Sequence, residues 1–110
     1  MPTRTGVLSG KAAFDRVLAA RQQRSSRYFR FHYLANGLGL SRLGMAVSRR
    51  VDRRAVVRNR LRRQIRESFR LAAPALPSLD VVVLARPEAA RAPRAEVWRD
   101  LLQAWTLLAR

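Results

Sequence analysis

Side chains able to move a proton or hold a metal are sparse in this chain. It has one histidine, His32, seven acidic residues scattered over 110 positions, and no cysteine. Acid–base hydrolysis needs a base with an orienting partner, and two-metal hydrolysis needs clustered carboxylates. No such spacing occurs here. A lone histidine in a strand-like segment is more often structural than a ligand or base, and the lack of cysteine excludes disulfides and thiolate metal sites. What the chain has in quantity is guanidinium. The segment RRAVVRNRLRRQIRESFR, Arg53 to Arg70, carries eight arginines and a single acid, Glu67.

The formal charge is +16 and the isoelectric point about 12.0. Charge of that size opposes compaction, so a polyanionic partner that neutralises it is the first reading, with nucleic acid and anionic membrane as the two classes. Of the 23 basic residues only Lys11 is a lysine. Arginine's planar fork pairs with phosphate and stacks on bases, which suits RNA. A GC-rich genome also favours arginine over lysine, so the total charge, rather than the ratio, carries the functional reading.

A helix reconciles the charge with a folded state. At 100° per residue, Val57, Leu61, Ile65, Phe69 and Ala72 share one face, while Asn59, Arg63, Arg66 and Arg70 form an opposite stripe about 60° wide. Arg60 and Arg62 flank that stripe, and Arg58 lies near the apolar edge. Like charges at i, i+4 cost only ~0.2–0.5 kcal/mol each, whereas burying Ile65 or Phe69 gains ~1.5–3 kcal/mol. Packing therefore wins. Solvated faces normally mix signs, and cations near a helix N-terminus oppose the dipole. A polyphosphate partner explains a row placed against both terms better than an ordinary wet surface does.

The elements that position this helix follow from the flanking pattern. LGMAVS and DVVVLA are short aliphatic runs suited to strands covered on both faces, so strand, arginine helix and strand form a parallel crossover unit. Before them, SGKAAFDRVLAARQ suits a first helix with Ser9 as its cap and Phe14, Val17 and Leu18 on one face. RYFRFHYL alternates as a strand, with Phe29, Phe31 and Tyr33 on one side and Tyr28, Arg30 and His32 on the other. NGLGL is a turn, with Gly37 and Gly39 supplying permissive backbone. RPEAARAPRAE is a linker in which Pro93 is suited to open a last helix, whose apolar stripe includes Trp98 and Trp105 as core. Asp52 suits a turn and Asp80 a strand start. One domain spanning 1–110 is expected from the length.

The central block GMAVSRRVDRRAVVRNRLRRQIRESFR, followed by LDVVVLAR, resembles the protein subunit of bacterial ribonuclease P. In that family a strand ending in Ser and two basic residues, here Ser48, Arg49 and Arg50, leads into a helix bearing an RNR motif, here Arg58, Asn59 and Arg60. The resemblance runs from about the first helix to the last. It implies an α+β fold, an α-β-β-β-α-β-α sandwich of two layers, whose parallel crossover is left-handed against the usual rule.

The resemblance further implies a ribonucleoprotein endoribonuclease that removes the 5′ leader of precursor tRNA. Its catalyst is an RNA, and the Mg²⁺ ions are held by the RNA subunit and the substrate rather than by a protein site. The protein alone is then non-catalytic. Arg49, Arg50, Arg58, Asn59, Arg60, Arg62, Arg63, Arg66 and Arg70 would face the catalytic RNA. A leader groove between the first helix and the sheet would use Phe14, Leu18, Tyr28, Arg30 and His32, with Leu18 standing where the family often has an aromatic. Phe14, Val17 and Leu18 read without the resemblance would simply be core.

A self-sufficient nuclease is disfavoured by the scattered acids. A ribosomal or general RNA-binding protein shares the charge but not the RNR block set between two apolar strands. A membrane-surface helix fails because the sheet needs the helix's apolar face. The N-terminal MPTRTGVLSG lacks the apolar core of a signal peptide, and Val81–Ala85 is far short of the ~20 residues of a membrane span. The expected partners are the catalytic RNA and precursor tRNA, with no membrane and no obligate protein partner, in the cytoplasm.

Overall fold

The aliphatic run after the arginine segment becomes β5 (Leu79–Ala85), the central strand of a five-stranded sheet. The computed structural model describes residues 5–110. On one side β5 runs parallel to β4 (Ser41–Ala46), and on the other it pairs antiparallel with β3 (Phe29–Ala35). The edges are short: β1 (Thr5–Val7) runs parallel to β4, and β2 (Gln23–Ser25) pairs antiparallel with β3. The order is thus β1-β4-β5-β3-β2. A strand flanked by neighbours and helices has no wet face, which is why Leu79 through Val83 are all buried without alternation.

The arginine segment is α2 (Ala55–Ala72), the crossover between β4 and β5, as its periodicity predicts. It packs with α4 (Arg94–Leu108) on the sheet face of Phe31, Val81 and Val83. Trp105 is the hub, edge-on to Phe31 at 5.1 Å between centroids and tilted against Phe69 at 5.5 Å. Its indole Nε1–H donates to Ser68 Oγ at 2.9 Å, and that hydroxyl donates to the Ile65 carbonyl. Ser68 is therefore a buried polar residue on the apolar face, satisfied at both roles. Ala72, at the helix end, is only half-buried.

The other sheet face carries α1 (Lys11–Ala19) over a small cluster of Leu8, Val17 and Val82, with Phe14, Leu34 and Leu84 at its margin. An ion pair between half-buried Arg42 and buried Asp80 braces this face. Arg42 Nε and Nη2 donate to Asp80 at 2.8 and 2.6 Å, and Asn36 Nδ2 donates to the same carboxylate at 2.8 Å. Those hydrogen bonds, the Arg42 pair foremost, hold the Asp80 carboxyl below its ordinary range despite burial.

Several local expectations are corrected. α1 begins at Lys11 with Gly10 at the cap position, φ +88°, so Ser9 does not cap it. β1 precedes α1; three residues with a central Gly6 are too short to show alternation, and only pairing with β4 makes them a strand. The linker after β5 contains a helical turn, α3 (Glu88–Arg91), with Ala89 buried. Pro93 holds the cap position of α4. Trp98 is half-buried and stands outside the core that Trp105 anchors.

Candidate nucleic-acid interface

Leu61 and Ile65 are fully buried and Val57 and Phe69 nearly so, which fixes the azimuth of α2. Asn59, Arg63, Arg66 and Arg70 then face outward and are exposed, while Arg58, Arg60 and Arg62 sit half-buried along the flanks. Two of these three flanking arginines are tied down. Arg58 Nη1 donates to the carbonyls of Asp52 and Arg53 at 3.1 and 2.8 Å. Arg62 donates from Nη1 to Asn59 Oδ1 at 2.9 Å and from Nη2 to the Val47 carbonyl at 3.1 Å, joining α2 to the end of β4. Each uses part of a five-donor guanidinium, so donors remain for a ligand on a side chain already ordered.

The basic surface continues through the β4–α2 connection. Val51 N–H closes a turn on the Ser48 carbonyl at 3.0 Å, and Asp52 accepts from the Arg54 backbone N–H at 2.8 Å. The Arg54 guanidinium on Asp52 depresses that carboxyl to about 2. This turn brings exposed Arg49 and Arg50 beside Arg53 and Arg58 around a cleft of about 530 Å³. At the far end Arg70 pairs with Glu67 at 3.1 Å, whereas Arg63 and Arg66 have no acidic partner among the described residues.

On the α1 face, pairing aligns one lateral row, Gly44–Val82–His32–Gln23. Phe14 stands on Gly44: a Cβ there would come within 2.6 Å of Phe14 Cζ. At ~4.8 Å per strand, His32 lies about 10 Å further across the sheet, beyond Val82. Phe14 is half-buried, packed at the edge of the small cluster, and Leu18 is 38% exposed on the same helix. Arg30, in register with Leu84 and Ser25, is exposed. His32 is half-buried with its Nδ1 lacking a partner; burial first and Arg30 second lower its pKa, so it is neutral at neutral pH.

Tyr28 does not join this face. It precedes β3 and is buried on the α4 side, its hydroxyl donating to Glu96 at 2.8 Å and its N–H to Asp100 at 3.0 Å. The hydrogen bond to Glu96 is the main cause that raises its phenol pKa. Asp100 also accepts from Ser26 Oγ and the Arg27 N–H, so one carboxylate from α4 fixes the β2–β3 turn and removes Tyr28 from the expected groove. Gly44 interrupts the aliphatic run LGMAVS, and a glycine inside such a run marks close approach, a signal outside the predicted site set. Arg54 and Arg94 also lie outside the predicted site set, and both line a cleft with Arg60 and Arg63.

No three His, Asp or Glu side chains gather into a metal-binding group among the described residues, and no helix there is long and apolar enough to cross a membrane. The chain matches the Ribonuclease P family over residues 2–109. It belongs to that family. It is 39% identical over 99 residues to the ribonuclease P protein component of Coxiella burnetii, covering 90% of this chain and 82% of that one. It is 43% identical over 93 residues to that of Halorhodospira halophila, covering 84% and 76%. The fold agrees. The Staphylococcus aureus RNase P protein superposes with a TM-score of 0.85 at 25% identity, over 94% of this chain and 95% of that one. The Thermotoga maritima RNase P protein gives 0.80 at 28%, over 92% and 96%. The chain is thus a protein component of the ribonuclease P ribonucleoprotein, and its partner is the ribonuclease P RNA.

Proposed function

We propose that this protein binds the ribonuclease P RNA through the outward face of α2 and its preceding turn, and holds the 5′ leader of precursor tRNA against the α1 face of the sheet. In that reading it assists endonucleolytic removal of the leader without supplying the catalytic groups. The observation that carries it is the arginine row on a helix whose opposite face is buried, in a chain of this family.

Arg63, Arg66 and Arg70 reach phosphates directly, while Arg58, Asn59 and Arg62 offer pre-ordered donors beside them, Arg60 adds a further guanidinium, and Arg49 and Arg50 extend the contact. Phe14 presents a half-buried ring to a leader base, with Leu18, Arg30 and His32 alongside; Tyr28 is not among them. Neutral His32 suits base contact rather than charge pairing. A face this basic repels divalent cations, which supports a reading in which the Mg²⁺ is held by the RNA subunit and the substrate rather than by a protein site. The proposed site of action is the cytoplasm.

The test is cleavage of precursor tRNA by the cognate RNA subunit at low magnesium, with and without the protein. The protein should raise cleavage while showing none alone. Cleavage by the protein alone, or no effect on the RNA's activity, would overturn the reading.

A further inference from the structure

Arg94 belongs to a stretch that reads as linker, yet the fold delivers it to the arginine helix. A cleft of about 550 Å³ opens between α2 and the start of α4, bordered by Arg54, Asn59, Arg60 and Arg63 on one side and Arg94 on the other. Gln64 Nε2 donates to the Arg94 carbonyl at 3.1 Å, which fixes the backbone of that side against α2.

The charge in this cleft is uncompensated. Its lining holds no carboxylate. Arg54 is committed to Asp52, but Arg63 and Arg94 have no acidic partner among the described residues. Arg60 Nε is buried with no hydrogen-bond partner, and its Nη2 only grazes the Ala90 carbonyl at 3.5 Å. A buried charged donor left unmade is costly, and three guanidinium groups around one concavity repel each other. Arg94 is also the first residue of α4, where the helix dipole disfavours a cation. One bound anion reverses all three penalties. The volume falls in the ~300–1,000 Å³ range of ligand sites, so a phosphodiester segment fits rather than a lone ion.

We propose that Arg60, Arg63 and Arg94 form a phosphate-binding cleft shared by α2 and α4, which grips a backbone segment of the ribonuclease P RNA. This rests on the RNA-binding reading above and adds Arg94 to it.

The test measures affinity of the full chain for the ribonuclease P RNA across a salt series, for Arg94→Ala, Arg94→Lys and Arg63→Ala, each checked for helix content by circular dichroism. Arg94→Ala should weaken binding roughly tenfold and reduce the log–log salt slope by about one contact. Arg94→Lys should restore the slope while recovering only part of the affinity, because an ammonium cannot pair bidentately. An unaltered Arg94→Ala beside a weakened Arg63→Ala would refute the cleft and leave the RNA-binding reading standing. Unaltered binding in both would refute the two together. If Arg94→Ala spares the RNA but weakens precursor tRNA binding by the reconstituted holoenzyme, the assignment to the ribonuclease P RNA is wrong.

Discussion

The ring of Phe14 rests on Gly44, so close that a methyl at Gly44 would meet it at 2.6 Å. The missing side chain on β4 thereby sets how deep a helix residue sits over the sheet. It also leaves the ring half-buried at the margin of the small core, on the sheet face that carries His32 and Arg30.

Gly44→Ala should therefore displace the ring and cost about 1–3 kcal/mol in stability, the usual penalty for overpacking. Phe14→Leu in the same chain should relieve most of that cost. Urea unfolding of both single variants and the double variant checks it; additive losses would mean that the two sites do not press on each other.

Phe14→Leu by itself should reduce the preference of the reconstituted holoenzyme for long-leader over short-leader substrates. A stacked base is worth ~1–3 kcal/mol, and leucine keeps the apolar bulk while removing the ring. If discrimination between leaders is unchanged in a folded variant, Phe14 is only core.

Arg63→Ala should weaken assembly with the ribonuclease P RNA by ~1–3 kcal/mol and leave unfolding unchanged, since its side chain is exposed. Arg62→Ala should differ. It also releases the Val47 carbonyl from α2, so it should lower stability as well, by ~0.5–1.5 kcal/mol. Paired binding and urea titrations distinguish the two residues.

Wild-type binding to that RNA should fall steeply with salt, with a log–log slope between about −4 and −7 for six to eight neutralised phosphates. A slope shallower than about −2 would mean that the row on α2 is merely solvated.

Stability should decline in acid through Asp80. Its carboxyl is depressed in the folded state, so the stabilisation is complete above the ordinary aspartate value of 3.8 and is lost as pH falls through the lower folded value. Asp80→Asn should cost about 2–3 kcal/mol at neutral pH, less than the ~3–5 typical of a fully buried pair because Arg42 stays partly solvated. Urea midpoints measured from pH 6 down to pH 2.5 should show a flatter acid limb in that variant. Equal slopes would show that another carboxylate governs it, with Asp52 the next to test.

The sequence by itself determined the arginine helix and its setting. Eight arginines interleaved with Val57, Leu61, Ile65 and Phe69 at helical spacing have one arrangement that buries the apolar set, and the aliphatic runs on either side require strands covered on both faces. The RNR block carried the family for the same reason: its spacing is local. Contacts between distant segments were decided only by the tertiary structure. Tyr28 left the α1 face because Asp100 and Glu96, about seventy residues away, capture its N–H and hydroxyl. β1 exists because β4 offers it an edge, and Phe14 owes its depth to a glycine thirty positions on. Arg94 joined the arginine row because α4 packs beside α2 on one sheet face. Periodicity along a chain fixes which face of an element is buried; what lies opposite that face depends on chain crossings that periodicity does not encode.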